Sequence, residues 1–170
     1  LPMYHKLLVV SDVAVIPYPD LSQKTAIVRY LTATAKVLGV ECPKIAAIAP
    51  SEQLLASVQS SVEAAVLAKM ADRGQLGDVV LDGPLALDVA LFEEVARTKH
   101  LSSPVAGDAD CLLMPNLDAA NVFFKSANHL CNASLAAMVA GTKAPCVLTS
   151  RGDSAESKLY SIALAALSAK

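Results

Sequence analysis

The chain alternates between short apolar runs and longer segments whose apolar residues recur at helical spacing. The short runs are apolar throughout rather than at every second position, which is typical of strands buried on both faces of a sheet. Strands and helices that alternate in this way indicate βαβ units. The predicted fold class is α/β, a three-layer, mainly parallel sheet with helices on both faces.

The predicted elements follow from this pattern and from turn residues at their ends. Strands are expected at positions 6–11, 44–49, 78–82, 110–115 and 144–149, and segment 135–140 fits either a strand or a helix. Helices are expected at about 20–39, 51–70, 84–99, 117–130 and 154–169.

Composition narrows the class of protein. The 170 residues are 54% hydrophobic with a formal net charge of −2, which predicts one folded domain, with at most a small appendage, and argues against a disordered chain. The 14 Lys and Arg residues against 16 Asp and Glu leave no cationic excess for nucleic acid. No apolar stretch approaches the roughly 20 residues of a membrane-spanning helix.

Other features indicate a cytoplasmic protein. No secretory signal opens the chain, and its four cysteines are widely spaced without a C-x-x-C pair. The three histidines lack metal-ligand spacing. We therefore expect reduced thiols and no metal site. The chain begins at Leu1 without an initiator Met and soon enters a strand-like run, which suggests part of a longer protein.

Polar motifs follow four of the predicted strands. Ligands of open parallel sheets bind beyond the carboxyl ends of the strands, so these positions are candidates for chemistry. The motifs are Ser11-Asp12, Asp82-Gly-Pro-Leu-Ala-Leu-Asp88, Pro115-Asn-Leu-Asp-Ala-Ala-Asn121 and Ser150-Arg-Gly-Asp-Ser154.

Ser150 and Arg151 form the sharpest candidate. A hydroxyl and a guanidinium directly before a helix suit an oxyanion, because free N–H groups and the helix dipole favour negative charge there. The alternative is a structural turn, with Asp153 as the N-cap and Glu156 as its capping-box partner. Both interpretations can hold, since capping leaves Ser150 and Arg151 free.

Two further candidates are less specific. Asn121 and Lys125 are four residues apart on one predicted helical face and could reach a ligand together, or simply face solvent. Asp82, Gly83 and Pro84 fit a binding loop or, equally, a strand exit with a helix-opening proline. From the residues alone, the prediction is an anion-binding α/β domain.

The order of these motifs resembles that of the phosphotransacylases, the phosphate acetyl- and butyryltransferases. The resemblance covers essentially the whole chain, and six weak motifs in the family's order make it specific. The D-G-P-L-A-L-D and S-R-x-D-S forms are closer to the butyryl branch. The motifs are Ser11-Asp12-Val-Ala14, Pro19-Asp20, Asp82 to Asp88, Val105-Ala-Gly-Asp-Ala-Asp110, Pro115 to Lys125, and Thr149-Ser-Arg-Gly-Asp-Ser154.

The resemblance implies transfer of a short acyl group between coenzyme A and phosphate, giving acyl phosphate and CoA, with no tightly bound cofactor, no metal and no covalent intermediate. Arg151 would hold the phosphate and Ser150 the thioester or transition state. The acetyl branch's carboxylate for the thiol proton falls at Ser157 here, so that role either lapses or passes to Glu156 or Asp153, of which Asp153 is favoured. The remaining candidates, which would bind CoA or phosphate, are Asn121, Lys125, Asp82, Gly83, Pro84, Ser11 and Asp12.

The chain departs from the family pattern at two residues and in length. The usual Gly before Asn121 is Ala120, and the usual Tyr before Lys125 is Phe124. Family members are about twice as long as this chain, and their active site lies in a cleft between two domains. The resemblance thus implies a second α/β domain at 1–148, and a terminal helix at 149–170 that packs on a missing N-terminal domain.

The implied partners are acyl-CoA, phosphate, the missing domain and a second copy of the chain, as a homodimer or larger assembly, because a separated half should expose apolar surface. The fragment alone is expected to be inactive. The alternative function is a non-catalytic binding or regulatory domain of the kind fused to malic enzymes. A metal-dependent decarboxylating dehydrogenase is disfavoured, because Asp78, Asp82 and Asp88 are loosely spaced.

Overall fold

A computed structural model of the protein describes residues 1–169. The chain divides into two compact units, which are described separately. The sheet unit is Tyr4–Phe123, and the terminal unit combines Leu1–Met3 with the chain from Phe124 onward. The boundary between these units, between Phe123 and Phe124, does not coincide with the predicted division at residue 148. That division concerned packing on a missing N-terminal domain, and it stays a prediction.

The sheet unit is built on four parallel strands, β1 (Val9–Ser11), β2 (Lys44–Ile48), β3 (Val80–Leu85) and β4 (Cys111–Leu113). Their order is β1-β4-β2-β3. Successive side chains of the central strands β2 and β4 are buried, so the sheet is covered on both faces. The α/β prediction is therefore confirmed.

Five helices follow the strands. α1 and α2 share one hydrophobic core with the sheet, formed by side chains such as Leu31, Leu67 and Ile45. α3 contacts β2. The helices are α1 (Leu21–Val37), α2 (Gln59–Asp72), α3 (Leu87–Leu91), α4 (Glu93–Thr98) and α5 (Leu117–His129), and α5 continues into the terminal unit.

The start of α1 agrees with the prediction. Asp20 is the N-cap, its carboxylate accepting from the Gln23 N–H at 2.8 Å while the Gln23 side chain accepts from the Asp20 N–H at 2.9 Å. This capping box satisfies two N–H groups that the helix itself leaves unpaired. The turn that ends the helix contains Gly39 at φ +93°, a conformation that favours glycine.

The predicted helix over 51–70 is wrong in its first eight residues, because α2 begins only at Gln59. Buried Ser61 explains the difference. Its hydroxyl donates to the Gln53 carbonyl at 2.8 Å and accepts from the Leu55 N–H at 2.9 Å. These bonds hold the segment as a non-helical turn, since side-chain hydrogen bonds to the backbone compete with helix formation.

Pro84 does not open a helix, which corrects that interpretation of the Asp82–Pro84 motif. It lies within β3, where the pairing register shifts because Ala46 pairs with Asp82 but Ile48 pairs with Leu85. One extra residue thus sits in β3, as in a β-bulge. A bulge suits proline, which has no N–H for the ladder.

The predicted helix over 84–99 is two short helices, because Phe92 between them is extended (φ −127°, ψ 111°). Gly107 packs against this break. Its N–H donates to the Val89 carbonyl at 2.9 Å, and a Cβ on Gly107 would lie 2.5 Å from the backbone of Glu93. The Gly in V-A-G-D-A-D therefore permits close backbone packing.

The terminal unit contains α6 (Ala155–Leu167) and an irregular segment before it. The predicted strand at 144–149 is wrong, and segment 135–140 is neither strand nor helix. Within the described residues, this region has one isolated bridge, between Val139 and Cys146. A strand-forming sequence needs a neighbouring strand for its backbone groups, and the described part of this unit supplies none.

Within residues 1–169, no helix has the length and apolar character that crossing a bilayer requires.

Candidate functional site

The loop after β1 is built around the Asp12 carboxylate. Its two oxygens accept from three successive N–H groups, those of Ala14 (2.9 Å), Val15 (3.0 Å) and Ile16 (2.7 Å). The Asp12 carboxylate therefore satisfies the N–H groups of its own loop and fixes the backbone conformation that follows Ser11. Asp12 lies where the motif predicts, at the carboxyl end of β1, with its oxygens directed at its own loop.

The same loop is tied to the start of α5. The Asn121 amide donates to the Val13 carbonyl at 3.1 Å, so the structure brings Asn121 to the Ser11–Asp12 motif. Because several bonds at different points hold the loop, its conformation is well defined. The others are Met114 N–H to Ser11 O (2.9 Å), Leu117 N–H to Pro17 O (3.0 Å), and Tyr18 hydroxyl to Asp118 Oδ2 (2.9 Å).

Asp82, Gly83 and Pro84 lie on β3, at the opposite edge of the sheet from β1. Three strand spacings separate those edges, roughly 14 Å. A Cβ on Gly83 would lie 2.8 Å from both the Cβ and the carbonyl oxygen of Ala47. The structure therefore does not bring this motif to Ser11 and Asp12, and it assigns Gly83 a packing role.

Ser150–Asp153 forms a closed loop immediately before α6. The Asp153 carboxylate accepts from the Ser150 N–H at 2.7 Å, and the Asp153 N–H donates to the Ser150 carbonyl at 3.1 Å. Arg151 is exposed, and within the described residues its guanidinium forms no ion pair. The loop presents a free guanidinium, which can make paired hydrogen bonds to an oxyanion.

The capping expected at this helix is corrected. The N-cap of α6 is Ser154, whose Oγ accepts from the Ser157 N–H at 3.1 Å. Asp153 is not the cap because its carboxylate reaches back to Ser150. Glu156 does not complete a capping box, since its carboxylate accepts from the Tyr160 hydroxyl at 2.7 Å.

Lys125 lies one turn after Asn121 on α5, as the spacing predicts. Its Nζ is 5.2 Å from the centroid of the Phe124 ring, a cation–π distance. Ala120, the other departure from the family pattern, is fully buried. Its extra methyl group therefore packs within the protein.

A buried ion pair joins Lys24 of α1 and Glu63 of α2, and it was not predicted from the sequence. Lys24 is 5% exposed and lies on the same helical face as Ile27, Val28 and Leu31. A lysine in the apolar stripe of an otherwise amphipathic helix was the signal that could have found it. Its side chain lines a shallow cleft at the carboxyl ends of β2 and β4.

A parallel sheet with ordered loops at its carboxyl ends, in a chain that presents a free guanidinium before a helix, has the features of an α/β protein that binds an oxyanion. A solved branched-chain phosphotransacylase from Enterococcus faecalis V583 matches 94% of this chain at a TM-score of 0.85 and 35% identity, and 57% of that protein is covered. A phosphotransacetylase from Staphylococcus aureus, at a TM-score of 0.74 and 23% identity over 94% of this chain and 49% of its own, shares the fold.

The chain belongs to the phosphate acetyl/butaryl transferase family, whose model matches residues 2–166. It is 45% identical over 164 residues to a phosphate butyryltransferase of Clostridium beijerinckii, covering 96% of this chain and 54% of that protein. It is 41% identical over 167 residues to a phosphate acetyltransferase of Thermotoga maritima, covering 98% of this chain and 57% of that protein. The chain spans about half the length of the curated relatives it matches.

Proposed function

We propose that this chain is the C-terminal portion of an enzyme that transfers a short acyl group between coenzyme A and phosphate. Membership in the family supports the reaction class. The observation that carries the proposal is the closed Ser150–Asp153 loop with its free Arg151 guanidinium at the start of α6. Acyl transfer to phosphate depends on positioning the phosphate and stabilising its negative charge, rather than on a covalent enzyme intermediate.

The proposed steps use the residues of this loop. Arg151 binds phosphate and stabilises the negative charge that develops when a phosphate oxygen attacks the thioester carbonyl. Ser150 donates its hydroxyl proton in a hydrogen bond to the carbonyl oxygen as that oxygen becomes negative. Asp153 orients the loop through the Ser150 N–H. In the proposed scheme, which uses no metal or tightly bound cofactor, Asp153 takes the proton of the attacking phosphate hydroxyl and passes it to the CoA sulfur as the C–S bond breaks.

Further residues are assigned to substrate binding. Asn121 fixes the loop after β1 through Val13, and Lys125 supplies a cation one turn further along α5. Ser11 is the last residue of β1 and has a hydroxyl available at the carboxyl end of the sheet. For Asp82, Gly83 and Pro84, packing within β3 is the better supported role, and CoA or phosphate contact stays a prediction.

We also propose that α6 packs on an N-terminal domain outside this chain. Within the terminal unit, its small polar face is turned inward, since the Ser161 hydroxyl accepts from the Ala137 N–H at 2.9 Å and donates to the Ser157 carbonyl at 2.7 Å. Its apolar face is uncovered. The exposed side chains are Leu159 (63%), Tyr160 (42%), Ile162 (59%) and Leu167 (53%).

Three finer features belong to the same proposal. Butyryl-CoA is the proposed substrate rather than acetyl-CoA, because D-G-P-L-A-L-D and S-R-x-D-S favour the butyryl branch, although relatives of both kinds match. The proposed location is cytoplasmic, because all four cysteines are free thiols, as is usual in a reducing compartment. A homodimer or larger assembly is the proposed state, on the strength of the exposed apolar surface.

The experiment is an assay of CoA released from butyryl-CoA by the complete polypeptide that carries this chain, with and without phosphate. The expected result is release that requires phosphate and is slower with acetyl-CoA. Phosphate-dependent release that favours acetyl-CoA would overturn the substrate assignment alone. Release that is absent, together with intact binding of CoA, would favour the non-catalytic binding domain.

A further inference from the structure

We propose that Lys24 binds one oxygen of a phosphate group at the carboxyl edge of the sheet, and that Glu63 holds its ammonium when that group is absent. The inference rests on the proposed function, because phosphate chemistry enters through the substrates, inorganic phosphate and the phosphates of CoA. It adds a binding residue on α1, outside the motifs that identify the family.

Burial makes the position of Lys24 unusual. The residue is 5% exposed, and an ammonium removed from water destabilises the fold unless partners replace the lost hydration. Glu63 supplies one partner, through Oε2. Its other oxygen, Oε1, accepts from the Gln59 side chain at 2.9 Å, so the carboxylate is fixed from two sides.

The ammonium has capacity left after this bond. A lysine carries three N–H donors, and the described residues provide Nζ with one hydrogen-bond acceptor, in Glu63. Ser60, one turn before Ala64 on α2, lines the same cleft, and its hydroxyl has no partner among the described residues. Lys24 and Ser60 together offer several donors to a group that enters the cleft.

The shape of the cleft selects the size of that group. It is lined by Ala47 and Ile48 at the end of β2, by Leu113 to Pro115 at the end of β4, and by Ser60, Ala64 and Leu67 of α2, with Lys24 of α1 at its side. The space inside it is about that of one water-sized oxygen. The cleft therefore admits one oxygen of an anion and leaves the rest of the molecule outside.

The cleft also lies where a ligand is expected from topology. β2 and β4 are neighbours in the sheet, but the chain leaves these two strands along different paths. From β2 it continues through α2 to β3 at the edge of the sheet, whereas from β4 it continues into α5. Ligands of open α/β sheets bind beyond the carboxyl ends of strands at such a divergence. A purely structural ion pair between α1 and α2 would not need this position.

The test distinguishes a role of the Lys24 charge in ligand binding from a role in folding. Inorganic phosphate, CoA, CoA without its 3′-phosphate, and pantetheine are each titrated calorimetrically into the complete protein. The variants are Lys24→Met, Glu63→Gln and the double variant, with Lys69→Met, which removes an exposed pair on α2, as the control. The double variant removes both buried charges together and so is the one most compatible with folding.

The double variant is expected to weaken binding of inorganic phosphate or CoA by about tenfold or more, the scale of a lost hydrogen bond to a charged group. Glu63→Gln removes the carboxylate that competes with phosphate for the Lys24 ammonium. This variant is expected to bind inorganic phosphate and CoA as tightly as the wild type or more tightly. Pantetheine, without phosphate, should be insensitive to all variants. Weakening for CoA but not inorganic phosphate identifies a CoA phosphate as the bound group, and the 3′-deleted form shows which one.

The proposal is overturned if the double variant folds and binds both phosphate ligands like the wild type, if Glu63→Gln weakens binding as much as the double variant does, or if the wild type binds neither ligand. Should both Lys24 variants fail to fold, the Glu63→Gln titration decides, and binding of inorganic phosphate and CoA at least tenfold weaker than in the wild type overturns the proposal. Binding is read without turnover, so a protein that binds phosphate through Lys24 but releases no CoA contradicts only the proposed function.

Discussion

Asp108, in the V-A-G-D-A-D motif, receives hydrogen bonds from two lysines and a histidine at the amino ends of the strands. Lys44 Nζ and Lys6 Nζ each lie 2.6 Å from its carboxylate, and His5 Nε2 lies at 3.0 Å. Burial alone would raise the pKa of Asp108, but the bonds from Lys44, Lys6 and His5 hold that pKa well below its usual range. The motif thus anchors the segment before β1.

The sign of this shift predicts a dependence on pH. A carboxyl whose pKa is lower in the folded state stabilises the protein fully above its unfolded pKa, about 4, and the contribution disappears as pH falls through the folded value. Asp108→Asn is expected to lower the free energy of unfolding at pH 7 by on the order of 1 kcal/mol, since the site is partly exposed and screened. Denaturant titrations at several pH values measure this.

In the same titrations, the free energy of unfolding of Asp108→Asn is expected to fall less than that of the wild type as pH decreases from about 5 to about 2. Asp78→Asn is the control, because Asp78 is 90% exposed and lies 3.8 Å from Lys36. Equal pH profiles for the wild type and Asp108→Asn would contradict this assignment of Asp108.

Among the elements, those that pack on the sheet were largely predictable from sequence. β2 and α1 follow from a continuous apolar run and from helical periodicity with an N-cap. Tertiary contacts produced the errors. Gly107 packs into the break at Phe92, Ser61 organises the turn before α2, and the strand-like residues after Ala144 have no neighbouring strand in the described unit.

For the candidate residues, the positions in the fold were predictable from the sequence but the contacts were not. The sequence motifs located Ser11, Asn121 and Arg151, because their positions after strands or before a helix follow from the chain order. The direction of the Asp12 and Asp153 carboxylates depends on backbone geometry that no motif encodes. Lys24 was missed because its partner Glu63 is 39 residues away on another helix.

The β-bulge in β3 gives a prediction about the stability of the fold. Gly83→Ala is expected to lower the free energy of unfolding by roughly 1–3 kcal/mol, because its Cβ would lie 2.8 Å from Ala47 and one of the two strands must shift. Thermal and denaturant unfolding monitored by circular dichroism measure the change. Gly152→Ala is the matched control, since a Cβ there meets nothing within 4 Å. Equal stability of both variants would refute the packing role of Gly83.

For the whole molecule, the uncovered face of α6 predicts association of this chain when it is separated from its proposed partner domain. Exposed apolar patches drive self-association in water. Light scattering at micromolar concentration is expected to detect dimers or larger species, and Leu159→Glu with Ile162→Glu should shift them toward monomer. Leu54→Glu, at an exposed loop residue of the sheet unit, is the control. A monomeric wild-type chain would argue against the prediction.

The proposed function of the whole enzyme depends on Arg151, whose guanidinium lies before α6 without an ion-pair partner among residues 1–169. The most direct measurement is the steady-state kinetics of Arg151→Ala in the complete polypeptide, with phosphate varied at saturating butyryl-CoA. We expect the KM for phosphate to rise or kcat to fall by at least roughly tenfold, the scale of a lost charged hydrogen bond, while Arg73→Ala at the end of α2 changes neither. Unchanged kinetics in Arg151→Ala would contradict it.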